Sequence, residues 1–364
     1  MPNNFPIGSV LVDTDYQQMV AEGRLTLPHN MPSYVIEPDS IDLYLDKAIY
    51  QVTGMPDLAN GFNPAAFIKH HAWGKFRLGE KPLNLARKLC YLARLDHKVK
   101  LSSDEFGIAS GRSSIGRTDV LTLLLTKGSV RFNEIPPGYA GDLWLLFVPQ
   151  SFSLTLPKRT SLSQLRIHRG PRQILSGTEL RRLDHDGNLI INPDLAPIIS
   201  GNRLMLRLDL SGSPSNLVAT DRNEPIFLGD AKANPRKYWL EKPLGLEGEL
   251  WLEPQQFAIL RTLEVIQVPD YAVASMIGYD DGNGEFRTHY AAFASGGFCA
   301  PMMCEVRNLG PVSICLRQGM IITSLEYEYL TQKPQTAFGS SISGIRYQHQ
   351  TGIKLPTWFA PWGI

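Results

Sequence analysis

DYQQMVAEGRLTL, residues 15–27, reads as a short amphipathic helix that stops at a glycine and runs on into an extended segment. Tyr16, Met19 and Val20 share one face, Asp13 or Thr14 stands where an N-cap is expected, and Gly23 supplies the stop. The same pattern returns at residues 178–191, TELRRLDHDGNLII, where Gly187 again precedes a polar residue and a leucine. An extended apolar run follows each copy, SIDLYL (40–45) and RLMLRLDL (203–210). Further on, PPGYAGDLWLLF (136–147) aligns with GGFCAPMMCEV (296–306), pairing Gly138 with Gly297 and Tyr139 with Phe298. Self-similar blocks in one order point to an internal duplication. The polar stretch HRGPR puts the junction near 173, dividing the chain into 1–172 and 173–364.

Between these landmarks, 26 prolines and 31 glycines punctuate many short apolar runs, such as DLWLLFV (142–148), ELWLEP (249–254) and SICLRQGMIITSLEYEYL (313–330). Runs of this length, rich in β-branched and aromatic residues and bounded by Gly or Pro, read as strands. Residues 82–95, PLNLARKLCYLARL, have helical spacing and are compatible with strand at their end. The expected class is mainly β, two tandem lobes of jelly-roll or sandwich style with a few short helices.

The chain has 364 residues, 43% hydrophobic and 20% charged, as expected of a globular protein with a sizeable core. Lys plus Arg total 36 against 35 for Asp plus Glu, so no overall field invites a nucleic acid. Four cysteines (Cys90, Cys299, Cys304, Cys315) are too few for a disulfide framework, and their spacing forms no CxxC pair for structural zinc. No targeting pattern opens the chain and no stretch is long enough for a membrane helix. The expectation is a cytoplasmic protein, without membrane or nucleic-acid partners; a homo-oligomer stays open.

Four segments carry polar groups suited to chemistry. GRSSIGR (111–117) packs two arginines and two serines between glycines. Guanidinium groups pair with phosphate oxygens, and hydroxyls with backbone N–H groups complete a cradle; the plainer alternative is a solvated turn. It is neither a Walker loop nor GxGxxG. Glu305 lies in APMMCEVRN (300–308), where burial would raise its pKa as suits a general base. Its plainer alternative is an edge residue paired with Arg307. GEFRTHYAAFASGGF (284–298) joins Arg287, His289 and Tyr290 to a Gly-rich turn, though a lone strand histidine is more often structural. GIRYQHQTG (344–352) places Arg346, Tyr347 and Gln350 on a tail able to cover a ligand or simply to move.

In this order the four segments resemble the dCTP deaminases of the dCTP deaminase/dUTPase superfamily, and most closely their two-lobed form. GRSSIGR matches the family's GRSSLAR-like element, GGFCAPMMCEVRNLG its turn and catalytic strand, RQGMIITSLEYE the next hairpin and IRYQHQTG the lid. The resemblance implies tandem dUTPase-like (β-clip) lobes. It implies that Arg112, Ser113, Ser114 and Arg117 hold a triphosphate, that Glu305 is the general base, and that Ser113 and Arg117 assist the chemistry. Ala291, Ser295, Phe338, Arg346, Tyr347 and Gln350 fall at its other substrate-binding positions. Ser295 stands where the family's DPG turn has aspartate, and Phe338 where a lid tyrosine is usual.

The cradle is confined to the first half, where Leu146 occupies the place of Glu305; the second half keeps the glutamate but has GYDDGNGEFR in place of the cradle. The resemblance therefore implies one composite site between the halves, equivalent to a site that single-lobed relatives form between subunits. The expected reaction is deamination of dCTP to dUTP and ammonia. A dUTP pyrophosphatase, a bifunctional enzyme and a non-catalytic nucleotide binder remain as alternatives, and dTTP as a further ligand is open. The chain has no HxE with PCxxC, so zinc is not expected. Mg²⁺ is expected only with the triphosphate.

Overall fold

The computed structural model describes residues 8–29, 35–192, 194–230, 232–278, 291–339 and 347–363, together with the backbone of 286–288. It is mainly β. In the first lobe the principal strands are β1 (Ser40–Val52), β2 (Cys90–Lys100), β3 (Glu105–Gly111), β4 (Ala140–Pro149) and β5 (Ser161–Arg169). In the second they are β6 (Arg203–Asp209), β7 (Phe257–Gln267), β8 (Ala272–Ile277), β9 (Cys299–Asn308) and β10 (Ile321–Tyr329). Antiparallel pairing runs β4-β2-β1-β5-β3 in the first lobe. In the second it runs β9-β7-β6-β10-β8, the same order by rank. Such agreement in non-sequential strand order is what a duplicated unit produces.

Local chemistry repeats with the topology. Helix α1 (Asp13–Ala21) ends at Gly23, whose φ is 69°, and the Arg24 N–H reaches back to the Met19 carbonyl at 2.8 Å. The later helix Gly177–His185 ends at Gly187, also with φ 69°, and Asn188 N–H reaches Leu183 in the same way. Both are left-handed glycine stops that close the last helical carbonyls. The aligned turn glycines Gly138 and Gly297 likewise have φ of 72° and 88°.

Two local expectations need correction, and one helix is additional. The N-cap of α1 is Val12, whose N–H donates to the Asp15 carboxylate at 3.0 Å; Asp13 instead accepts the backbone N–H groups of Gln335 and Thr336. Residues 82–95 form no helix: Leu83–Leu85 and β2 are strands, because pairing with Leu154–Leu156 and with β1 and β4 outweighs a local helical spacing. A helix at Pro64–His71 was not anticipated; Asn63 caps it by accepting the Ala66 N–H at 3.1 Å, and proline stands at its first position.

The core crosses the expected 172/173 junction. Leu217, Ile226, Trp239, Phe257 and the C-terminal Ile353, Leu355, Trp358 and Phe359 all join the cluster centred on the first lobe. Ile226–Phe227 adds a parallel strand to Leu154–Leu156, and Val10 bridges both His168 and Leu330. Arg166, buried on β5, is paired with Asp39 at 2.8 Å and also donates to the carbonyls of Ala274 and Ala294 in the other lobe. A buried guanidinium is tolerable only when satisfied this fully. All four cysteines are unpaired; burial raises the thiol pKa of Cys304 and, less buried, of Cys299.

Candidate active site

Strand β3 delivers the chain to Arg112, which is still extended, and a single helical turn follows at Ser113–Gly116. Ile115 is buried and anchors that turn, leaving Ser113, Ser114 and Arg117 around a cleft. On the other wall, β9 alternates with the two-residue period of a strand. Met302, Cys304 and Val306 enter the second-lobe core, whereas Met303 enters the first-lobe core and Glu305 and Arg307 lie on the same face as it.

Glu305 is 2% exposed. Its Oε2 accepts the backbone N–H of Ala291 at 3.1 Å, and a Cβ added to Gly116 would lie 2.6 Å from that same oxygen. The carboxylate therefore touches the backbone of the cradle. Arg307 pairs with Asp119 of the first lobe. Leu146, the aligned residue of the first lobe, is fully buried among core leucines.

Arg117 is 5% exposed and donates to the Lys354 carbonyl at 2.6 Å and to Gln350 Oε1 at 3.4 Å. The Tyr347 ring lies 3.9 Å from its guanidinium carbon. Burial lowers the Arg117 pKa, with Tyr347 and Glu305 acting in opposition. Among the described residues its Nε finds no acceptor. The hydroxyls of Ser114 and Tyr347 are 2.6 Å apart. Arg112 is paired with Asp42 at 3.0 Å; burial works against its charge, and Asp42 together with Tyr44, Glu37 and Tyr347 outweighs this, holding the pKa above its usual value.

One cleft of about 950 Å³, open mouth included, is lined by Arg112, Ser113, Ser114, Arg117, Ala291, Ser295, Glu305, Phe338, Tyr347 and Gln350. These are ten of the positions singled out from sequence. Phe338 packs edge-on against Phe298 with ring centres 5.8 Å apart. Arg346, His289 and Tyr290 lie outside the described residues, and of Arg287 only the backbone is described. Sequence reasoning missed Glu37, Ser40, Asp42, Gln164, Met302 and Met303, which also line the cleft. A signal existed for two of them: in SIDLYL the polar Ser40 and Asp42 alternate with Ile41 and Leu43, so they share a face.

Two family profiles cover nearly the whole chain: the N-terminal domain of 2′-deoxycytidine 5′-triphosphate deaminase matches residues 8–171, and its C-terminal domain matches residues 176–359. The chain belongs to the dCTP deaminase family. A crystal structure of 2′-deoxycytidine 5′-triphosphate deaminase from Agrobacterium tumefaciens superposes with a TM-score of 0.83 at 26% identity, covering 90% of this chain and 97% of that one. A dCTP deaminase, dUMP-forming, from Mycobacterium tuberculosis is 29% identical over 182 residues, 49% of this chain and 92% of the relative. One of the same name from Dictyoglomus turgidum is 24% identical over 181 residues, 49% of this chain and 91% of its own. These shorter family members correspond in length to half of this chain, whereas the Agrobacterium protein matches it along both lobes.

Proposed function

We propose that this dCTP deaminase family member hydrolyses dCTP to dUTP and ammonia at one composite site between its lobes. The observation that carries this is the contact of the Glu305 carboxylate with Gly116 of the GRSSIGR turn. Glu305 takes a proton from water as the oxygen adds to C4 of cytosine, and returns protons to the ring and the departing amine. Ammonia then leaves and the C4 carbonyl forms. The Ala291 N–H contact and the screening from bulk water support the general-base role of Glu305. Arg117 and the Ser113 hydroxyl stabilise the tetrahedral centre by preorganised electrostatics.

Arg112, Ser113, Ser114 and Arg117 receive the triphosphate, with Mg²⁺ accompanying it on phosphate oxygens and water and no zinc taking part. Ala291 and Ser295 border the base and sugar, and Phe338, Arg346, Tyr347 and Gln350 close over the nucleotide. The near-zero net charge fits a cytoplasmic enzyme without nucleic-acid or membrane partners. Among the described residues, no helix is long and apolar enough to cross a membrane.

A second reading is favoured by the names of the shorter relatives: a dUMP-forming enzyme that also cleaves pyrophosphate from the same nucleotide. Incubation with dCTP and Mg²⁺, following ammonia, dUTP, dUMP and pyrophosphate together, tests both. Equal ammonia and dUTP without pyrophosphate supports the first reading. Equal ammonia, dUMP and pyrophosphate supports the second, and absence of ammonia overturns both.

A further inference from the structure

Two residues beyond Arg117 and two residues beyond Glu305, the lobes are joined by a buried ion pair. Asp119 is fully buried and Arg307 4% exposed. Arg307 Nε donates to Asp119 Oδ1 at 3.3 Å and Nη2 makes a closer contact with Oδ2. Around them, the Ser151 hydroxyl donates to Asp119 Oδ2 at 2.5 Å, and Arg307 Nη1 donates to the Gln255 carbonyl at 2.5 Å. Asp119 sits at φ 59°, an uncommon conformation for a non-glycine residue, in the same tight turn as Arg117. Its own N–H is tied to the Gly116 carbonyl at 2.9 Å.

Each end is therefore a ruler. On β9, Glu305 and Arg307 point the same way, about 6.8 Å apart along the strand. In the cradle, Arg117 and Asp119 are held by one hydrogen-bonded turn. Clamping Asp119 to Arg307 leaves the Gly116 backbone and the Glu305 carboxylate little freedom to separate. The duplication supplies a comparison within the chain. In the first lobe the aligned positions of Glu305 and Arg307 are Leu146 and Val148, so where the carboxylate is absent the bridging arginine is absent too.

We propose that Asp119 and Arg307 are positioning residues that set the spacing between the phosphate cradle and Glu305, and so act on turnover. The inference rests on the deaminase reading above. It goes beyond that reading in assigning a kinetic role to a pair that borders the site without belonging to its lining.

The test is steady-state and single-turnover deamination of dCTP by wild type, Asp119→Asn, Arg307→Lys and the double variant, with melting temperatures and dCTP binding measured alongside. Asparagine tolerates a left-handed φ, and lysine keeps the charge but loses the planar fork. Misplacement of reacting groups by about 1 Å can cost about 10²-fold, so kcat is expected to fall by about 10- to 100-fold. The KM and Kd for dCTP are expected to stay within about threefold, and the double variant to be no worse than the poorer single, as for one coupled unit. Folded variants with wild-type kcat, or losses that multiply in the double variant, overturn the proposal. Should Asp119→Asn fail to fold, Arg307→Lys and Ser151→Ala carry the same kcat-against-KM comparison. Wild type that releases no ammonia from dCTP overturns the deaminase reading and this one with it. Ammonia release by wild type with unaffected variants overturns the positioning role alone.

Discussion

Gly116 and Glu305 meet so closely that a single methyl group on Gly116 would stand 2.6 Å from the Glu305 Oε2 and 2.8 Å from its carboxyl carbon. The glycine is there for want of space, since its backbone angles are not left-handed. Both partners are buried, one on the cradle turn and the other on β9. Neither can withdraw without disturbing its lobe.

Gly116→Ala is accordingly expected to displace the carboxylate. Overpacking of this kind typically costs about 1–3 kcal/mol, which a urea unfolding curve will register. Turnover of dCTP should fall by more than the unfolded fraction accounts for, and a folded alanine variant with wild-type kcat would show that the contact is kinetically irrelevant.

Glu305→Gln keeps the shape and the Ala291 contact but removes the base. Ammonia release is expected to fall by about 10²–10⁴-fold. Calorimetry should still record dCTP binding, because the proposed phosphate cradle lies on the opposite wall. Residual activity near wild type would remove Glu305 from the mechanism.

The two cradle arginines should differ. Arg117→Ala removes a buried guanidinium beside Glu305, so both dCTP affinity and kcat are expected to drop. A lost charged hydrogen bond costs about 1.5–3 kcal/mol, or roughly one to two decades in Kd. Arg112→Ala also removes the ion-pair partner of the Asp42 carboxylate in the cleft, so its loss should appear chiefly in Kd, and Arg112→Ala/Asp42→Asn should recover part of it. Binding measured on a Glu305→Gln background separates affinity from turnover.

Acid stability should depend on His97. It is 1% exposed on β2, and its Nε2 accepts the Tyr44 N–H at 3.0 Å. Burial pushes its pKa down to about 4, against an opposing contact with the Thr26 backbone. The unfolded chain protonates this group near about 6.5, the folded chain only near 4. Between those values the unfolded state binds the extra proton, so stability present above about pH 6.5 is lost as pH falls towards 4, by up to about 3 kcal/mol. Urea unfolding at about pH 7 and about pH 4.5 should show a smaller fall for His97→Gln than for wild type; equal slopes would assign the acid loss elsewhere.

Much of this protein is written in consecutive residues. The helix stops at Gly23 and Gly187, the turns at Gly138 and Gly297, and the alternation through β9 each depend on local sterics and a two-residue period, so the β class and the duplication were readable from the chain. GRSSIGR and Glu305 could likewise be picked out as components, by residue type together with family resemblance. Distance could not. That Arg112 is paired with Asp42, that Arg307 meets Asp119 across 188 residues, and that the C-terminal Trp358 completes the first lobe's core follow from how all the strands close together. The helical spacing of residues 82–95 gave way for the same reason: strand pairing and burial are sums over partners far away in the chain. A local pattern specifies which face a side chain takes; only the closed packing of both lobes specifies what that face meets.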